Sequence, residues 1–212
     1  MPLPVNVRTT TVGQREVAGR AGRDRRPRTS ISQFTPSADR ADPVALLAGQ
    51  EVIRNPQLLP LRHARMSVSP FTFYRGGAGI MTADLASMPN SGLVTQLCGD
   101  AHLSNFGMFA APDRSVIFDI NDFDETNPGP FEWDVLRLAA SFVLAGRDLG
   151  LRQDTIADAA AAAGSAYRGQ MQVYAGMPDL AVWYDRVSVD VLDGWTSTQG
   201  DPRAQRIIAR SA

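Results

Sequence analysis

The interval of seventeen positions from Asn105 to Asp122 constrains this chain more than any other stretch. Phe106 to Ala110 and Ser115 to Ile120 are two short β-prone runs. Ala111-Pro112-Asp113-Arg114 between them supplies the residues of a tight turn. The spacing predicts a β-hairpin that returns the chain so that Asp122 faces Asn105. Alternation puts Phe118 and Ile120 on one face and Asp119 on the other. Leu93 to Leu97 reads as a further β segment, leading into Gly99-Asp100-Ala101-His102-Leu103-Ser104-Asn105.

Most of the remaining chain has helical character. Asp42-Pro43 is an N-cap followed by proline at the first helical position, and Val44, Leu46, Leu47, Val52 and Ile53 continue the stripe to Asn55-Pro56. Pro60 to Met66 reads as a short helix or turn. Phe71 to Tyr74 reads as a strand running into Gly76-Gly77-Ala78-Gly79. Ile80 to Met88 is a short helix closed by Pro89-Asn90-Ser91-Gly92. Phe131 to Leu149 is a strong helix, with Val135, Leu138, Ala139, Phe142 and Val143 at helical spacing and Gly150 as C-cap. Gln153 to about Ala175 is alanine-rich and helical with Asp154 as a candidate cap, and Pro178 to Leu192 is a third helix carrying Trp183. The expected fold class is α/β of the α+β kind, mostly helical around one small β-hairpin. The expected organisation is a disordered arginine-rich arm over 1–40, a domain over 41–193 and an irregular tail over 194–212.

A length of 212 residues with 44% hydrophobic content suits one soluble domain, or one domain and part of a second. No apolar run reaches the length of a membrane span and the N-terminus does not read as a signal peptide. Cys98 is the single cysteine, so no disulfide forms within the chain, and a cytoplasmic location is expected. Arg20, Arg23, Arg25, Arg26 and Arg28 crowd the arm, which reads as solvated and disordered; a phosphate or nucleic-acid contact is the alternative. The net charge of -1 argues neither for nor against nucleic acid, which is not the expected partner. All 21 basic residues are arginine. Any mechanism that requires a lysine must find it outside this chain.

Phosphoryl transfer needs a carboxylate to orient the attacking hydroxyl and oxygen ligands to hold Mg²⁺ on the phosphates. Asp100 and Asn105, five positions apart, and Asp122 after the hairpin supply such groups. Asp124 is a candidate second metal contact and Glu125 a weaker one, while Asp119 reads as a surface residue. His102 reads either as a general acid or as a residue holding the loop backbone. Arg75, beside the glycines, reads as an anion contact or as half of an ion pair with Asp84 or Glu132. The amides of Gly76 and Gly77 are candidates to cradle phosphate. Trp133 reads as core and Cys98 as a small buried hydrophobe.

Gly-Asp-x-His-x-x-Asn, a hairpin and then Asp-Phe-Asp resembles the aminoglycoside and choline phosphotransferase branch of the kinase-like fold. The wider pattern includes Arg65-Met66, Ser69-Pro70-Phe71, Phe73-Tyr74-Arg75-Gly76 and Asp84-Leu85-Ala86. It continues through Asn105-Phe106-Gly107, Asn121-Asp122-Phe123-Asp124-Glu125-Thr126 and Gly129-Pro130-Phe131-Glu132-Trp133-Asp134. Over roughly 12–193 this resembles a bacterial family, domain of unknown function 2252, placed with the kinase-like fold. The resemblance implies a kinase-like C-lobe and ATP- and Mg²⁺-dependent phosphoryl transfer to an unknown, small-molecule acceptor. Within it, Asp100 matches the catalytic-loop aspartate, His102 the histidine two residues on, and Asn105 the metal-binding asparagine. Asp122 matches the metal-chelating aspartate, and Asp134 the buried aspartate that braces the catalytic loop from a following helix.

Two departures stand out: Cys98 replaces the histidine often found before Gly-Asp, and the phosphate-binding lysine is absent. In that family the glycine-rich segment and lysine follow the catalytic loop. The resemblance therefore implies an N-terminal half with an incomplete nucleotide lobe, from a truncated or split protein, whose expected partner is a complementing C-terminal half or subunit. A catalytically inactive pseudo-kinase or regulatory binding module is the alternative.

Overall fold

Short polar caps set the helices of the N-terminal part. Helix α1 (Val12–Arg25) begins at Thr11, whose hydroxyl accepts from the Gln14 amide while the Gln14 side chain accepts from the Thr11 amide. Helix α2 (Pro43–Glu51) begins at Asp42, whose carboxylate accepts from Val44 N. Asn55 caps a 3₁₀ turn over Pro56–Leu58 that runs into α3 (Leu59–Met66). Ser69 and Thr72 form a second capping box at the start of α4 (Pro70–Arg75), and α5 (Ala78–Ala86) follows at once. The computed structural model describes residues 11–30 and 33–199, which form a mixed α/β arrangement, mostly helical with two small antiparallel sheets.

Two sequence expectations are corrected here. The segment predicted as a disordered arm contains α1, which docks on the loop before the first strand. Arg25 Nε donates to the Ser91 carbonyl at 3.0 Å, and a Cβ on the buried Gly22 would sit 3.1 Å from that same oxygen. Residues 1–10 lie outside the described residues. Phe71 to Tyr74, predicted as a strand, is helical: proline at the first position and the Ser69–Thr72 box outweigh the β preference of the aromatic residues.

The central hairpin forms as its spacing predicts. Strands β1 (Val94–Leu97), β2 (Phe106–Ala110) and β3 (Val116–Ile120) follow in chain order, and β2 pairs antiparallel with β3, Phe106 opposite Ile120. Strand β4 (Asn127–Pro130) pairs with β1, placing Asn127 opposite Leu97. Two prolines in four residues conceal this strand from sequence reading, and a two-stranded sheet tolerates them because each strand keeps a free edge. Gly129 lets the strands approach, since a Cβ there would sit 2.6 Å from the Leu97 side chain.

Helix α6 (Glu132–Asp148) packs on α7 (Gln153–Tyr174), with Ile156 buried against Gly146. Gly150 closes α6 at φ +65°. The candidate cap Asp154 instead lies in the first turn of α7, accepting from Thr155 N, while Arg152 occupies the cap position. The helix predicted over Pro178 to Leu192 is broken in two. Strand β5 (Val187–Ser188) pairs with β3 and separates α8 (Asp179–Tyr184) from α9 (Val189–Gln199). Helix α9 thus crosses the expected start of the tail at 194, and residues 200–212 lie outside the described residues. Among the described residues no helix is long and apolar enough to cross a membrane.

Candidate functional site

A polar stripe on α6 holds the loop between β1 and β2. Asp134, Arg137 and Ser141 are spaced three and four residues apart and share one helix face. Asp134 Oδ2 accepts from Cys98 N at 2.7 Å and its Oδ1 from Gly99 N at 3.1 Å. Arg137 Nε donates to Asp100 Oδ1 at 2.7 Å. Ser141 Oγ accepts from Leu103 N at 2.9 Å and donates to Leu138 O. Gly99 makes the turn at φ +87°, where any Cβ would fall 2.0 Å from the Glu125 carbonyl oxygen. Glu132, on the same helix, is 2% exposed and accepts from Ser91 N and Oγ.

Asp100 is buried, and its charge is met by Arg137, which is only 3% exposed. Arg137 is fixed in turn by Tyr74. Its Nη2 donates to Tyr74 O at 2.7 Å, its guanidinium lies 3.9 Å from the ring centroid, and the Tyr74 hydroxyl donates to Arg137 O. Burial pushes the Tyr74 phenol up to about 12, so it keeps its proton.

His102 Nε2 lies 3.6 Å from Asp100 Oδ2. Burial lowers its pKa, and Arg137 and Arg75 add to that against the pull of Asp100, so the ring is neutral. Its Nδ1 is buried without a hydrogen-bond partner. The His102 backbone shapes the loop, its amide donating to Asp100 O and its carbonyl accepting from Asn105 N.

The hairpin brings its two ends together. Asn121 N donates to Asn105 O at 3.0 Å, and the buried Asn105 Nδ2 donates to Asp100 O at 2.9 Å, leaving the side-chain oxygen of Asn105 as an acceptor. The Cys98 thiol donates to Asp122 O at 3.4 Å, and Asp122 Oδ1 accepts from Asp124 N. Asp100, His102, Asn105, Asp122, Asp124 and Glu125 line one open cleft of about 930 Å³. Burial pushes the Glu125 carboxyl up, and Asp100, Asp122 and Asp124 push it further, against a lowering by Arg54.

Among the described residues, no three His, Cys, Asp or Glu side chains converge on one metal position. Magnesium is commonly held by one or two carboxylates with waters and substrate phosphates completing its shell. Asp122, with the free oxygen of Asn105 nearby in the same cleft, fits that sparse demand.

The predicted phosphate cradle is a correction. Gly76 N donates to Phe73 O and Gly77 N to Tyr74 O, so both amides are engaged in ending α4. Gly76 instead permits close packing, since a Cβ there would meet Met66 Sδ at 2.6 Å. Gly76 lines the cleft beside Arg75. Arg75 pairs with neither acid foreseen for it, because Asp84 takes Arg40 at 2.6 Å and Glu132 takes Ser91.

Sequence reading missed Arg137 and Ser141. The available signal was the recurrence of polar residues at 134, 137 and 141 inside a helix otherwise apolar at that spacing.

Cys98 is buried, and burial together with Asp134, Asp100 and Asp122 pushes its thiol pKa up, against a lowering hydrogen bond from the loop backbone. Less thiolate at a given pH means slower alkylation. In native protein at pH 8, thiol titration should run at least about tenfold slower than in urea. Equal rates would show that Cys98 is open to solvent.

No curated protein and no solved structure matches the chain. A family model described as "Uncharacterized protein conserved in bacteria (DUF2252)" matches residues 54–212. That span takes in all the polar residues of the cleft and the α6 stripe that holds them, and the chain belongs to this bacterial family.

Proposed function

We propose that the cleft is the acceptor and metal half of a kinase-like phosphotransferase site, serving ATP- and Mg²⁺-dependent transfer to a small-molecule hydroxyl. The observation that carries this reading is the bracing of one loop at both ends. Asp134 takes the two amides just before Asp100, and Asn105 Nδ2 takes the Asp100 carbonyl. A base and a metal ligand are thereby fixed relative to one another, which is the main requirement of phosphoryl transfer.

Asp100 orients the acceptor hydroxyl. Arg137 occupies its Oδ1, which leaves Oδ2, on the His102 side, to accept the hydroxyl proton. Asn105 and Asp122 hold Mg²⁺, with Asp124 beside them; bound there, the ion neutralises charge on the phosphates. His102, kept neutral, holds the loop backbone rather than donating a proton. A complementing half or subunit supplies the lysine this sequence lacks.

The second reading, a nucleotide-binding module without catalysis, is favoured by the Arg137–Asp100 pair. The guanidinium already occupies one oxygen of the carboxylate that would otherwise meet an acceptor hydroxyl.

Calorimetric titration of ATP, with and without Mg²⁺, tests the metal assignment. Wild type should bind with Mg²⁺, and Asp122→Ala should weaken that binding at least about tenfold. Equal binding by both proteins, or none by either, sinks the reading. Tight Mg²⁺-dependent binding with no phosphoryl transfer to any of a panel of small hydroxyl compounds selects the non-catalytic alternative.

A further inference from the structure

We infer that Arg54, Arg62 and Arg75 form a guanidinium wall in the Asp100 cleft that binds a phosphate group of the ligand. The inference rests on the phosphotransferase reading and names the chemistry of what enters the site. The three side chains come from separate elements. Arg54 precedes the Asn55-capped turn, Arg62 lies within α3 and Arg75 ends α4. They line both the open cleft and a smaller cavity of about 260 Å³ that adjoins it.

Elsewhere among the described residues Arg40 is matched to Asp84, Arg137 to Asp100 and Arg186 to Asp113. Arg62 is anchored by donating from Nη2 to Gly76 O at 2.8 Å, a carbonyl that brings no charge. Arg54 and Arg75 are exposed and make no side-chain hydrogen bond or ion pair. The nearby acids act on the wall only from a distance: Glu51, paired with His63, and Glu125 both pull on Arg62, and Arg54 pulls on Glu125, without an ion pair in any case. Burial and the Arg54 charge lower the Arg62 pKa against the pull of Glu51 and Glu125, and none of the three guanidiniums has an acid within ion-pair distance.

A phosphate answers that deficit, because guanidinium forks match its oxygens in pairs. The lysine-free sequence makes arginine the only side chain of permanent charge available for this. The phosphate has two sources: the triphosphate of a nucleotide, or a phosphate carried by the acceptor.

Inorganic tripolyphosphate, titrated calorimetrically into the full chain with the metal chelated, tests the wall without the metal site. Wild type should bind, and Arg54→Gln/Arg75→Gln should weaken binding at least about tenfold, with circular dichroism unchanged because both residues are exposed. Asp122→Ala, which removes a negative charge from the same cleft, should bind tripolyphosphate at least as tightly as wild type. No binding by wild type, equal binding by the double variant, or loss in Asp122→Ala overturns the inference. A second arm with ATP and Mg²⁺ separates the sources. An equal loss in the double variant assigns the wall to the nucleotide chain, and unchanged ATP binding assigns it to the acceptor. Arginine-dependent tripolyphosphate binding alongside ATP binding indifferent to Asp122 would leave the anion site standing and remove the phosphotransfer reading alone.

Discussion

Replacing Arg137 with methionine is expected to lower the free energy of unfolding by about 3–5 kcal/mol in urea denaturation. The effect is large because of what remains behind. Asp100 would stay buried with its charge uncompensated, and Tyr74 O would lose its guanidinium donor. Methionine fills much of the volume, so little of the loss comes from an empty space. Adding Asp100→Asn to the same chain should recover part of the loss, since a neutral amide needs no counter-charge. A cost below about 1 kcal/mol for Arg137→Met would mean that the pair is solvated and holds nothing.

Asp134→Ala carries the second large effect, expected at about 2–3 kcal/mol, because it strands two backbone donors at the start of the loop. Hydrogen exchange gives the local reading. The amides of Cys98 and Gly99 should lose protection, while those of the β2–β3 ladder keep theirs. Asp134→Asn retains one acceptor oxygen and should cost less than alanine. Unchanged exchange at Cys98 and Gly99 would show that the loop holds its shape without α6.

The parts of this molecule legible in the sequence are those decided locally. Asp42-Pro43 starts a helix because a carboxylate and a fixed φ suffice there, and the β2–β3 hairpin follows from two short runs and a turn. The misreadings occur where a nearby or distant partner overrides propensity. Phe71 to Tyr74 has the aromatic content of a strand, yet a cap two residues upstream makes it a helix. Asn127-Pro128-Gly129-Pro130 has the content of a loop, yet the edge of β1 makes it a strand. The helix of the arm, capped locally at Thr11, is held by Ser91, a residue 66 positions away from Arg25.

The same division runs through the site. Asp100, His102, Asn105, Asp122 and Asp124 share a cleft that their spacing along the chain suggested. Arg137 was hidden because an arginine on a helix reads by default as a solvent-facing residue. The glycines after Arg75 invited a phosphate-binding reading, but hydrogen bonding within α4 claims their amides. Which way an amide points is a property of backbone conformation, and glycine spacing leaves it open.

The stripe on α6 also ties the length of that helix to the shape of the loop. A helix turns by about 100° per residue, so one residue inserted between Asp134 and Arg137 would rotate Arg137 and Ser141 away together. Asp100 and Leu103 would then lose their partners at once, although every side chain was still present. The turn from Ala111 to Arg114, by contrast, stands at the far end of the hairpin and bears on none of these bonds. Lengthening there would be felt as a longer ribbon, whereas lengthening in α6 would act as a gear slipped by one tooth.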